Sequence, residues 1–260
     1  MKQIYKCMTV CSMLVLMGTG NTLAQDESEG STAFPVEIYI CNFNEGMGQA
    51  ELNKWVDKWN AWIEAASSPP APYSAWTMTP FYFGEDQDFD FIWLGTSPNA
   101  AALGRAYDNY LSNSGDLQPE FDKIATCGAH NNFATVNIKE PADDGYSSSF
   151  VLSFSNCNLA EGKTFDDAMP ALQAWSEYRT GHGSGSGMWV MFPAYGGGQA
   201  DFDFKFVVSH QNHEALGVDY DHYAQGGYAK AGELFGGLLE CDESRAYNAV
   251  TKRDGIPDDD

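Results

Sequence analysis

The chain of 260 residues aligns with itself, and this duplication constrains its fold more than any other feature. Cys41-Asn42 and Glu45-Gly46 return 116 positions later as Cys157-Asn158 and Glu161-Gly162, and Trp59 returns as Trp175. Trp76, Met78, Pro80, Tyr82 and Gly84 return at a shift of 113 as Trp189, Met191, Pro193, Tyr195 and Gly197. Over residues 88–110 that shift gives 11 identities in 23 positions, beginning with Asp88-Phe89-Asp90-Phe91 against Asp201-Phe202-Asp203-Phe204. Cys127 returns as Cys241 at a shift of 114. The shift changes where loops differ: Pro69-Pro70-Ala71-Pro72 in one copy, a glycine-rich stretch over 181–187 in the other, both rich in breakers. A period above one hundred residues is too long for a solenoid and marks a duplicated domain. The copies span 36–141 and 148–253, separated by a polar stretch with Asp143, Asp144 and Gly145.

Within a copy, residues 36–40 and 150–154 are β-rich runs. Leu52, Trp55, Trp59, Trp62 and Ile63 recur at helical spacing over 51–66, and 164–178 is the counterpart. Residues 76–83 and 89–94 read as two strands joined by an acidic turn. A mostly helical stretch over 99–125 is expected to be interrupted by Gly115 and Pro119. Residues 133–138 and 247–250 read as the last strands. The order βαββαβ is the ferredoxin-like arrangement, a four-stranded antiparallel sheet in the order 4-1-3-2 with both helices on one face.

That order tests the cysteines. Cys41 ends the first strand and Cys127 precedes the fourth, so in neighbouring antiparallel strands the two adjoin. Of the six cysteines, Cys7 and Cys11 lie in residues 1–24, which read as a removable leader; the remaining four allow three pairings, and only Cys41–Cys127 with Cys157–Cys241 gives each copy the same staple.

The net charge of −22 repels phosphate backbones and anionic membrane surfaces, which argues against nucleic acid and membrane partners. With 43% hydrophobic residues the chain still has material for a packed core. Residues 1–24 read as a signal peptide: Lys2 and Lys6, an apolar run over 8–17, then Thr22-Leu23-Ala24 before Gln25. The run is too short to span a membrane. An acidic linker, 25–35, follows, and 254–260 is an acidic tail. Export to a periplasm or the medium fits the even cysteine count.

One face of each four-stranded sheet would be bare, and an apolar bare face must be covered. Here the chain resembles the dimeric α/β-barrel superfamily, from Val36 to Arg253, in element order and duplication. The resemblance implies an α+β fold in which two tandem ferredoxin-like βαββαβ repeats pack sheet to sheet as a pseudo-dimeric α/β barrel, a monomer with pseudo-twofold symmetry. It also implies a pocket inside the barrel or between sheet and helices. The superfamily includes cofactor-free monooxygenases, haem-binding peroxidase-like enzymes and ligand-binding proteins. No residue motif carries over from any of them, so catalytic residues stay unknown.

The alternating identities on the second strand put Trp76 and Tyr82, with Trp189 and Tyr195, on one face. They are read as aromatic walls of a barrel pocket, with core packing the alternative. Asp90 and Asp203 lie opposite the aromatics of the third strand and are read as carboxylates facing the barrel or its mouth, with turn capping the alternative. His210, His213 and His222 align with Ser97, Ala100 and Asn109, so they are not duplicated; His182 lies in the glycine-rich loop. His210-Gln211-Asn212-His213-Glu214 is not the HExxH order. No metal site and no cofactor is expected, haem or a divalent cation being the exceptions these side chains would allow. The expected function is binding of a small apolar or aromatic molecule in the barrel. Monooxygenase- or peroxidase-like chemistry and a structural role in the envelope are the alternatives.

Mass spectrometry of non-reduced peptides is expected to return Cys41 joined to Cys127 and Cys157 joined to Cys241. A peptide joining the two copies would overturn the duplicated arrangement.

Overall fold

β1 (Phe34–Phe43) shows how the sequence sets the layers. Val36, Ile38 and Ile40 point to one face; Glu37, Tyr39 and Cys41 point to the other. The first face joins the core inside the barrel. The second faces the helices. This computed structural model describes residues 33–66, 72–85, 87–142, 147–198 and 200–255. The expected signal peptide, most of the acidic linker and most of the tail lie outside the described residues, as do 67–71 and 143–146.

The first repeat continues with α1 (Gln49–Ala66), β2 (Ser74–Tyr82), β3 (Phe91–Thr96), α2 (Ala100–Asn113), α3 (Leu117–Ile124) and β4 (Ala125–Lys139). The second has β5 (Ser149–Leu159), α4 (Phe165–Gly181), β6 (Met188–Tyr195), β7 (Phe204–His210), α5 (His213–His222), a π-helical turn (Tyr223–Gly227), α6 (Tyr228–Phe235), β8 (Leu239–Cys241) and β9 (Arg245–Arg253). The helical stretch breaks at Gly115, whose φ of 59° lies in the left-handed region. Pro119 sits in the first turn of α3, where a missing N–H costs nothing, so it interrupts no helix. The repeated Asn99 and Asn212 are N-caps accepting from Ala102 N and Ala215 N at 2.9 Å.

The strand order β4-β1-β3-β2 is the expected 4-1-3-2, and β9-β5-β7-β6 repeats it. The two sheets join at both edges: β2 pairs with β9, and β4 pairs with β6. With β5 paired to β7, the ladder closes on itself as an antiparallel barrel of eight strands, and β8 attaches outside it to β5. Closure removes the open edges that would otherwise invite foreign strands. Met78, Phe133, Phe154, Met191 and Tyr247 meet in its interior. Cys41–Cys127 and Cys157–Cys241 are bonded, with Cα atoms 3.9 and 4.0 Å apart and separations of 86 and 84 residues. Each closes a long loop and is worth up to about 4.6 kcal/mol in the chain-entropy model.

In the second repeat a buried ionic cluster ties α4, α5 and β7 together. Asp219 accepts hydrogen bonds from Arg179 and from the Ser186 and Ser184 hydroxyls at 2.6 and 3.1 Å, and lies 3.1 Å from His210 Nδ1. Burial alone would raise the Asp219 pKa. The hydrogen bond from His210, the Arg179 charge and the serine hydroxyls outweigh it and hold the carboxyl well below the usual carboxylate range. The depressed folded value means that this stabilisation is complete above the unfolded pKa of about 3.9 and is lost as pH falls below it. Asp219→Asn leaves Arg179 buried without its counter-charge. The variant is expected to lose about 3–5 kcal/mol of unfolding free energy in urea titration; a loss under about 1 kcal/mol would show the cluster to be structurally idle.

Candidate functional site

The outer face of β1 meets two neighbours in strict register. Glu37 lies opposite Gly95 on β3, and Tyr39 lies opposite Trp93 on β3 and His130 on β4. Above this face, α1, α2 and α3 leave a cavity of about 470 Å³, within the range of small-molecule sites. Its walls are aromatic: Trp55, Trp59 and Trp62 from α1, Trp93, Tyr110 and Phe121. Trp59 meets Tyr73 and Trp93 edge to face at 5.8 and 5.3 Å, the geometry aromatic rings prefer.

A polar network lies against these rings. The Glu37 side chain is only 3% exposed, yet both its oxygens have partners. The Tyr73 hydroxyl donates to Oε1 at 2.5 Å, and His130 Nε2 lies 2.9 Å from Oε2. Trp93 Nε1 donates to the Tyr73 oxygen at 3.0 Å. The Tyr107 hydroxyl lies 3.1 Å from His130 Nε2 and 2.8 Å from the Tyr39 hydroxyl. The His130 ring stacks on Tyr39 at 3.7 Å, and its side chain is 43% exposed. The network thus runs from a buried carboxylate to solvent. Burial, the Glu37 charge and the hydrogen bond to Glu37 push the Tyr73 hydroxyl well above its ordinary pKa, against a smaller opposing effect of Trp93. Burial and the same charge raise Tyr39. Burial, with Asp122, pushes Tyr110 up to about 12. These phenols are neutral hydrogen-bond donors at neutral pH.

Gly95 makes room for Tyr73. A Cβ at this position would stand 1.9 Å from the Tyr73 hydroxyl oxygen and 2.9 Å from Glu37 Oε1. The second repeat has none of this. In the matching register Ser153 stands for Glu37, Ser155 for Tyr39, Val208 for Gly95 and Phe206 for Trp93. The Ser155 and Ser244 hydroxyls, 2.6 Å apart, occupy the place of the Tyr39–His130 stack. Trp175, Met188, Val208 and Phe235 pack the space beneath its helices. The acid therefore belongs to one copy alone, and comparing what the copies share passes over it. Glu37, Tyr39, Tyr73 and His130 were legible only as departures from the repeat.

The residues singled out in sequence lie elsewhere. Trp76 and Trp189 pack against the barrel interior. Tyr82 and Tyr195 are 61% and 79% exposed at the strand ends, and Tyr195 borders a cavity at the barrel mouth. Asp90 accepts from Phe43 N at 2.7 Å and Asp203 from Leu159 N at 2.8 Å. Both aspartates pin the end of their repeat's first strand. His213 Nε2 lies 2.7 Å from Asn248 Oδ1, and His182 Nδ1 lies 2.7 Å from the Tyr178 carbonyl oxygen. Among the described residues no group of three or more His, Cys, Asp or Glu is placed to hold a metal.

Solved structures share this architecture. A provisionally assigned chlorite dismutase superposes with a TM-score of 0.51 at 11% identity, covering 85% of this chain and 96% of its own. A provisionally assigned monooxygenase from Lactobacillus acidophilus gives 0.51 at 11% identity, covering 85% and 95%. The chain has the dimeric α/β-barrel fold. No protein-family model matches it, and no curated protein matches it in sequence. The expectation of no cofactor is corrected by the structural neighbours, chlorite dismutases among them, and the group to test here is haem. In this chain the helix-side cavity of the first repeat does not fit haem. Among the described residues its lining holds no histidine, methionine or free thiol, since Cys127 is in a disulfide. Its phenols are held protonated, and Glu37 and Asp122 face it without a lysine or arginine to meet propionates. Beside His182 and His222 in the second repeat, Trp175, Tyr178 and Phe235 are packed together.

Gly95→Ala forces Tyr73 off Glu37. The variant is expected to lose about 1–3 kcal/mol of stability and to change its near-ultraviolet circular dichroism. A spectrum and stability equal to the parent's would show that Tyr73 is not held by this close approach.

Proposed function

We propose that the helix-side cavity of the first repeat binds a small hydroxylated or enolisable aromatic molecule, and that Glu37 accepts its proton. One observation carries this reading: a buried carboxylate, bonded on both oxygens, lies in the wall of an aromatic cavity. A carboxylate accepts about four hydrogen bonds. Tyr73 and His130 use two, which leaves capacity for the hydroxyl of a ligand. The tryptophans offer ring faces and edges to an aromatic body. Glu37 holds the proton it takes, while His130 Nε2, 2.9 Å away on a half-exposed ring, donates to Oε2 and keeps the carboxyl oriented. Tyr73 keeps donating to Oε1 and holds Glu37 in place.

A second reading, oxygenation of the deprotonated ligand, is favoured by the monooxygenase assignment of one structural neighbour. Dioxygen and a ring CH2 would yield a ring carbonyl and water, so atoms and electrons balance without a further reductant. The protein side of either reaction is the same: bind the ring, take the proton, exclude water. Export belongs to the proposal too. It is supported by the leader-like residues 1–24 and by two disulfides, which persist in oxidising compartments. Among the described residues no helix is long and apolar enough to cross a membrane.

The test is titration of the disulfide-intact chain with 2-naphthol, followed by tryptophan fluorescence. Glu37→Gln keeps the shape and removes the charge. It is expected to weaken binding ten- to hundredfold, the worth of a hydrogen bond to a charged group of about 1.5–3 kcal/mol. Equal affinity of Glu37→Gln and the parent, or equal affinity for naphthalene and 2-naphthol, would overturn the reading.

A further inference from the structure

The barrel holds a second cavity, about 380 Å³, on the opposite face of the sheet from Glu37. Its walls near the barrel interior are apolar: Ile38, Ile92, Phe133, Phe154 and Tyr247. Its charged groups, Asp201, Lys205 and Arg245, come from the second repeat, and Asn131 and Asn132 of the first add amides. In the first repeat Ile40 pairs with Ile92; in the second the same ladder position pairs Asn156 with Lys205. Likewise Ile38 pairs with Asn131, and Phe154 pairs with Arg245. A lysine thus stands where the first repeat has an inward-facing isoleucine.

Lys205 Nζ donates to Asn156 Oδ1 at 2.7 Å and sits 4.2 Å from the centre of the Phe202 ring. Among the described residues no carboxylate lies within ion-pairing distance of it. Arg245 is already held by Asp242, through two hydrogen bonds at 2.9 and 3.0 Å. Among the described residues Asp201 is the one acidic residue lining the cavity. Burial, then the Arg245 charge, lowers the Lys205 ammonium to about 8, while Asp242 draws it back up. It stays mostly protonated at pH 7. Lysine is seldom buried without a partner. This one stands half in an apolar cavity, bonded to a neutral amide and with no counter-charge among the described residues.

We propose that the barrel mouth is a second binding site, for an amphipathic monocarboxylate whose apolar body fills the barrel end and whose carboxylate pairs with Lys205. One uncommitted ammonium matches one negative charge. A dianion would leave charge unmatched beside Asp201, in a chain of net charge −22. Asn156 positions the ammonium through its Oδ1, and its own Nδ2 donates to Asp242 Oδ2 at 3.1 Å. The site shares no lining residue with the Glu37 cavity, so it stands or falls independently of the function proposed there.

The experiment is calorimetric titration of the disulfide-intact chain at pH 7 with decanoate and, separately, with decanol. Decanoate is expected to bind at least tenfold more tightly. Lys205→Met should abolish that preference and Lys205→Arg should retain it. Glu37→Gln should leave decanoate binding unchanged, which keeps this result apart from the 2-naphthol test. Equal binding of decanoate and decanol by the parent chain would overturn the proposal, and that comparison needs no variant to fold. So would a preference that survives Lys205→Met, or one lost in Glu37→Gln.

Discussion

Two strand pairings, β2 with β9 and β4 with β6, hold the rest of the structure in place. A single βαββαβ unit covers one face of its sheet with helices and leaves the other apolar face to water. The edge pairings bring the two bare faces together, and Met78, Phe133, Phe154, Met191 and Tyr247 are buried between them. The same pairings satisfy the backbone groups at four strand edges. Each disulfide then secures the first strand of a repeat to the strand segment that follows the last helix. The closed wall separates two chemical spaces: the barrel interior, and the layer between sheet and helices where Glu37 lies.

Much of this was legible in the sequence because duplication makes a weak pattern count twice. The order of elements, the 4-1-3-2 sheet and both cysteine pairs follow from matching one half to the other. Asn99 with Asn212 and Asp90 with Asp203 were also visible as identities. What they do was not: the asparagines cap helices and the aspartates pin strand ends, both local backbone tasks that any copy of the fold needs. Identity between copies reports what folding requires of each.

The candidate sites were hidden for the converse reason. Glu37 interrupts β1 at one position, His130 is one histidine among five, and Tyr73 precedes a strand whose later residues attract the eye. Only the register brings them to one point, with Gly95 clearing the space. At the barrel mouth, Lys205 likewise differs from its counterpart Ile92. A buried acid or base costs free energy unless it is bonded, so such departures are informative. They must be sought as differences between halves, in inward- and helix-facing positions, rather than as shared motifs.

Joining both halves in one polypeptide has a consequence for assembly. In a two-chain barrel, closure is a bimolecular equilibrium and the folded fraction falls as the protein is diluted. Here the partner half is tethered, so its local concentration is set by the short connection between β4 and β5 and not by how much protein is present. Closure becomes independent of abundance. The tether also frees each half from having to match itself, so one side could acquire an acid and the other a lysine without either change being imposed twice.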